Sequence, residues 1–165
     1  MPAKEERHIQ GKSEKNIKER ITEDMKRALT TKDKVRLRVI RLLKSEIRYK
    51  EIEKRSELTD EDVISVLSSS IKKHKDSIEQ FEKGGREDLV AGEKAELEVI
   101  WEYMPKQLEE KELFQIVDEA IREVNASAPS DLGKVMKTVM PKVKGRADGK
   151  KVNELVSFKL QSMSE

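Results

Sequence analysis

Apolar residues recur every three or four positions through most of the chain after Asn16, the spacing of helices that bury one face. Ile17, Ile21, Met25 and Leu29 mark a first helix ending near Thr30–Lys32. A second runs from about Asp33 to Arg55, with Val35, Val39, Leu42, Leu43 and Ile47 as its inward arc. Thr59 is a suitable N-cap for a third, and Asp60, Glu61 and Asp62 fill the first turn, where the helix dipole favours negative charge. Val63, Ile64, Leu67, Ile71, Ile78 and Phe81 form its stripe, and Gly84–Gly85 breaks it. The fourth helix, about Arg86 to Tyr103, buries Leu89, Leu97, Ile100 and Trp101 and stops before Pro105.

After the connector Lys106–Leu108, a fifth helix spans about Glu110 to Val124, with Leu113, Ile116, Val117, Ala120 and Ile121 inward. Ser130 caps a sixth, which Pro141 discourages beyond Met140; Asp148 caps a seventh, from Gly149 to about Gln161. No strand-period segment of useful length is present. The expected fold is all-α: an N-terminal helical bundle over residues 13–105 and a smaller C-terminal three-helix subdomain over residues 106–165. The polar, aperiodic stretch Met1–Lys12 reads as a disordered leader.

Composition agrees with solvent-laced helices: 41% of residues are charged and only 4% aromatic. The net charge of +2 is too small to attract a polyanion by itself, so any electrostatic partner must be met locally. The charge is unevenly spread. Residues 32–55 carry ten basic and four acidic side chains (10 − 4 = +6), whereas residues 109–124 carry two basic and six acidic (2 − 6 = −4).

The densest basic segment is Gly133–Val156, GKVMKTVMPKVKGRADGKKVNELV. It sets Lys134, Lys137, Lys142, Lys144, Arg146, Lys150 and Lys151 against two acids, Asp148 and Glu154. Its glycines and proline place that charge on a helix–loop–helix, a surface suited to a phosphate backbone through counterion release. Asp148, as the cap of the last helix, occupies the amides there, so phosphate contacts are expected from side chains more than from backbone. Gly133 costs about 1 kcal/mol relative to alanine inside a helix, which close packing of another helix would justify. Lys34, Arg38, Arg41, Lys44, Arg48 and Arg55 fall on the face of the second helix opposite its apolar arc, and the first five extend the candidate basic surface. Like charges at that spacing repel by a few tenths of a kcal/mol per pair.

Catalytic constellations are lacking in the sequence. His8 lies in the leader and His74 on the buried side of the third helix; Ser68, Ser69 and Ser70 stand mid-helix without a base in sight. No phosphate-binding loop, dinucleotide fingerprint or metal-ligand spacing occurs, so no catalytic residue, metal or cofactor is assigned. The absence of cysteine excludes disulfides and thiolate chemistry. With no apolar run near membrane-spanning length, the expected location is cytoplasmic and no membrane partner is expected.

The strings DKVRLRVIRLLKSEI, LTDEDVISVL, KDSIEQFEKGGREDLV, EYMPKQL and GKVMKTVMPKVKGRADGKKVNELV, in this order, resemble the YqeY family of small bacterial proteins over about Ile17 to Leu160. A weaker likeness extends to the C-terminal tail of GatB, a subunit of the glutamine-dependent aspartyl/glutamyl-tRNA amidotransferase. The tail's signature maps to Gly133, Lys134, Val135, Met136 and Lys137, then to Gly145, Lys150, Val152, Asn153, Leu155 and Val156. His74 departs from the family pattern, which more often carries Arg or Lys there. The resemblance implies two all-α subdomains and a tRNA-linked role; the family's label of carbon–nitrogen ligase with glutamine as donor implies an amidotransferase. This chain lacks the cradle domain and amidase machinery that such chemistry uses in the larger enzyme. The leading expectation is therefore a non-catalytic tRNA-binding module. Alternatives are an adaptor docking on an amidotransferase or aminoacyl-tRNA synthetase through the acidic fifth helix, an amidotransferase in its own right, and duplex-DNA binding by the C-terminal unit.

Overall fold

A computed structural model describes residues 15–165; the leader expected over Met1–Lys12, with His8, lies outside the described residues. Those residues form seven α-helices and no strand, as the periodicity predicts: α1 Ile17–Thr31, α2 Lys34–Lys54, α3 Asp60–Lys83, α4 Glu87–Trp101, α5 Glu110–Glu123, α6 Leu132–Val143 and α7 Gly149–Met163.

Local chemistry explains where the helices begin. Asn16 caps α1 through a reciprocal pair with Glu19: Asn16 Oδ1 accepts from Glu19 N at 2.9 Å, and Asn16 N donates to Glu19 Oε2 at 3.1 Å. Lys32 adopts a left-handed conformation (φ 56°), which turns the chain so sharply that Asp33 caps α2 at the next residue. Thr59 and Asp62 form the capping box of α3. Lys54 grips Asp62 at 2.6 Å, and the Thr59 amide and hydroxyl also donate to it. These bonds, Lys54's foremost, hold the Asp62 carboxyl at about 2, below its ordinary 3.8. A depressed carboxyl contributes stability that is complete above its unfolded pKa and lost as pH falls through the folded one. Acid titration of the fold is therefore expected to show a loss between about pH 4 and pH 2, and Asp62→Asn to remove that component when unfolding is followed by circular dichroism.

Buried apolar residues fall into two clusters. The first joins Ile21 of α1, Val39, Ile40, Leu43 and Ile47 of α2, Val63, Leu67 and Ile71 of α3, and Ile100 of α4. The second is rich in valine: Val117 of α5, Val135, Val139 and Val143 of α6, and Val152, Val156 and Leu160 of α7. At the end of α4, Tyr103 is buried and donates to Asp24 at 2.8 Å, while Arg36 makes a bidentate pair with Glu102 at 2.6 and 2.9 Å. Arg20 donates to the Glu102 carbonyl at 2.8 Å. Helices α1 and α2 thus fix the point from which the connector to α5 departs.

Several sequence expectations change. Leu29 and Leu42 are 51% and 47% exposed, and Leu89 is also exposed; Ala28, Ile40 and Val90 take the inward positions. Helix α2 packs on α1, α3 and α4, so its buried arc includes Ile40 and leaves Leu42 outside it. Ser130 does not cap α6: a 3-10 turn, Pro129–Asp131, precedes it, and Asp131 accepts from the Ser127 and Ala128 amides at 2.9 and 3.2 Å. Pro141 does not end α6, which continues to Val143 because that valine is fully buried in the second cluster. Nor is Gly133 a site of close helix packing; a Cβ built on it meets nothing within 4 Å. Gly133→Ala is accordingly expected to raise stability by about 0.5–1 kcal/mol, read as a higher urea midpoint.

Candidate nucleic-acid interface

The basic loop between α6 and α7 is built against the connector. Gln107 Nε2 donates to the Gly145 carbonyl at 2.7 Å, and Leu108 N to the Arg146 carbonyl at 2.8 Å. Arg146 Nε returns a bond to the Lys106 carbonyl at 3.3 Å. Gly145 lies at φ +72°, and an added Cβ would stand 2.4 Å from Ile64 Cγ2 of α3. The loop is thereby seated on the first cluster's α3 and tied to the chain that leaves α4. Sequence inspection missed Gln107, Leu108 and Ile64 as the parts that place this loop; the one available signal was Gly145 inside the family-like signature.

The seven cations expected on this segment separate by pairing. Lys142 is held by Glu123 of α5 at 2.9 Å, and Lys134 lies 3.8 Å from Asp131. Arg146 is half-buried and spends its Nε on the connector. Lys137, Lys144, Lys150 and Lys151 are exposed and have no carboxylate within 4.0 Å among the described residues. The Lys150 amide donates to Asp148 Oδ1 at 2.8 Å, so the cap carboxylate sits at the start of α7 as expected.

On α2 the expected track is broken by bonds to neighbouring helices. Arg38 pairs with Glu96 of α4 at 2.6 Å, and Lys44 donates to the Thr22 hydroxyl of α1 at 3.1 Å. Arg48 lies 3.9 Å from Glu51, a carboxylate already bonded to Lys18. Lys34 and Arg41 are exposed and have no carboxylate partner among the described residues. No hydrogen bond or ion pair joins α2 to the C-terminal helices among those residues.

The acidic α5 is partly neutralised from within its own unit, Asp118 by Lys159 and Glu123 by Lys142. Between α5 and α7 a groove of 570 Å³ is lined by Phe114, Ile121, Phe158 and Met163. A larger cleft of 920 Å³ separates α2 from α3 and is lined by Ser45, Tyr49, Ser65, Val66 and Ser69, with acids and lysines on its rims. It holds no histidine, and each of its lysines is bonded to a carboxylate: Lys50 to Glu53, Lys54 to Asp62 and Lys73 to Glu46. Ser69 therefore has no free amine or imidazole in that cleft to activate it. No helix among the described residues is long and apolar enough to cross a membrane.

Comparison with known proteins adds relatives. Altered inheritance of mitochondria protein 41, mitochondrial, of Pyrenophora tritici-repentis is 34% identical over 146 residues, 87% of this chain and 78% of that protein. The like-named protein of Lachancea thermotolerans is 37% identical over 113 residues, 67% of this chain and 60% of its own. That of Saccharomyces cerevisiae YJM789 is 38% identical over 82 residues, 49% and 44% respectively, so these two matches span less than two thirds of the relatives' length. Their names are those of mitochondrial proteins and correct the cytoplasmic location expected from the lack of a membrane-length apolar run. A family model described as Yqey-like protein matches residues 18–160, from the first turn of α1 into the last turns of α7. The chain belongs to the YqeY family.

Proposed function

We propose that this chain is a tRNA-binding accessory module without catalytic activity of its own, working beside a tRNA-modifying enzyme such as a glutamine-dependent amidotransferase or an aminoacyl-tRNA synthetase. One observation carries the reading. Lys144, Lys150 and Lys151, with Lys137 on α6, stand exposed and have no carboxylate within 4.0 Å among the described residues, and the backbone of the loop between α6 and α7 is fixed by Gln107, Leu108 and Ile64. A set of exposed ammonium groups on a fixed backbone suits a folded RNA, whose helices are recognised by shape and phosphate position. Few aromatic residues are available to stack on splayed bases, which disfavours sequence-reading of single strands. Arg146, in the same loop, extends the surface. Lys134, Lys142, Arg38, Lys44 and Arg48 contribute less, because their present bonds must break first.

Salt dependence tests this directly. With four or five phosphates neutralised, log K for total tRNA plotted against log salt is expected to have a slope of about −3.5 to −4.5. A salt-insensitive affinity removes the proposal. Equal competition by duplex DNA would reassign the surface to nucleic acid in general, and glutamine-dependent transfer by the purified chain with tRNA and ATP would overturn the non-catalytic part.

A further inference from the structure

The α3–α4 hairpin is the most extensively packed helix pair in the molecule, and three potential metal ligands meet within it. His74 comes from α3, and Glu93 and Glu96 come from successive turns of α4. One ligand atom from each lies within 4.8 Å of the other two. His74 is buried, and the two glutamates are half-buried. His74 Nδ1 stands 2.6 Å from Glu93 Oε2, and Glu96 Oε1 forms an ion pair with Arg38 Nη2 at 2.6 Å.

Two carboxylates and one guanidinium leave this group with one uncompensated negative charge when the imidazole is neutral. Four ligands at about 2.0–2.2 Å around Zn2+ stand about 3.4 Å from one another, a spacing these side chains reach by small rotations. Ligands projecting from facing helices are how bundles build metal sites. A mixed imidazole and carboxylate set suits Zn2+ and its neighbours rather than Mg2+, which prefers oxygen alone. The 19 and 22 residues that separate His74 from the glutamates hide the group from spacing rules.

We propose that His74, Glu93 and Glu96 form a binding site for a divalent transition-metal ion of the Zn2+ type, with a fourth position left to solvent. Arg38 keeps its bond to one oxygen of Glu96 while the other turns to the ion. At Nδ1 the ion replaces the hydrogen bond to Glu93, and the ring proton resides on Nε2. Such an ion clamps α3 to α4.

The test is competition of Zn2+ between the full chain and a chromophoric chelator, with Co2+ absorption as a second readout. One equivalent is expected to bind with micromolar affinity, Co2+ to give visible tetrahedral-type bands, and Mg2+ not to compete. Glu93→Gln and Glu96→Gln, isosteric changes at half-buried positions, are expected to weaken binding more than about tenfold and to abolish the Zn2+-dependent rise in Tm. His74→Ala should eliminate the Co2+ bands, whereas His8→Ala and Glu98→Gln should leave them intact. Absence of Zn2+ binding overturns the proposal, as does binding that survives both glutamine variants or that disappears with His8→Ala.

Discussion

Gly145→Ala is expected to lower the stability of this protein by about 2–5 kcal/mol, combining backbone strain and overpacking. The residue lies at φ +72°, where an L side chain brings its Cβ against the following carbonyl, at a cost of about 1–2 kcal/mol. The added methyl would also stand 2.4 Å from Ile64 Cγ2, far inside van der Waals contact, so α3 or the loop must shift. Overpacking of this kind adds about 1–3 kcal/mol. Urea unfolding of four proteins separates the two parts: wild type, Gly145→Ala, Ile64→Ala and the double variant. In the Ile64→Ala background the alanine penalty should shrink to the strain share of about 1–2 kcal/mol. An equal penalty in both backgrounds would mean that the contact with Ile64 does not seat the loop. Since Lys144 and Arg146 flank the glycine, the single variant should also weaken tRNA binding, and Ile64→Ala should restore part of it.

The same glycine marks the limit of what one sequence reveals. Helix number, phase and most boundaries were legible, because Ile, Leu and Val recur with the helical period and because Thr59, Asp148 and Gly84–Gly85 are strong local signals. His74 was rightly placed on a buried face. Errors arose where tertiary packing outweighs local preference. Val143, drawn into the second cluster, carries α6 past Pro141, and the neighbours of α2 decide that Ile40 rather than Leu42 faces inward. The close approach expected at Gly133 occurs instead at Gly145: Gly133 opens to solvent, whereas Gly145 meets Ile64, 81 positions earlier in the chain (145 − 64 = 81). Charge counting failed for the same reason. Arg38 and Lys142 look unpaired along their own helices, yet their carboxylates arrive from α4 and α5. The cytoplasmic location inferred from the lack of a membrane-length apolar run was overturned by relatives with mitochondrial names, since such a lack does not report the compartment.

Changing Lys144, Lys150 and Lys151 together to glutamine is expected to reduce tRNA affinity by about a hundredfold at physiological salt, and to bring the salt slope down by nearly 3. The magnitude follows from counterion release: each contact contributes about 0.9 to the slope, so three contribute about two powers of ten between molar and physiological salt. Stability should change by no more than about 0.5 kcal/mol, because none of the three side chains has a carboxylate partner within 4.0 Å among the described residues. Lys142→Gln is the informative comparison. Its ammonium is already held by Glu123 at 2.9 Å, so removing it forfeits little binding and leaves the slope nearly unchanged. If Lys142→Gln instead weakened tRNA binding as much as the triple change does, pairing would not be what selects the working cations. The interface would then have to be sought by total charge rather than by the fixed loop. If neither change altered the slope, phosphates would not be in contact with this segment at all. The α2 cations without carboxylate partners among the described residues, Lys34 and Arg41, would become the next to replace.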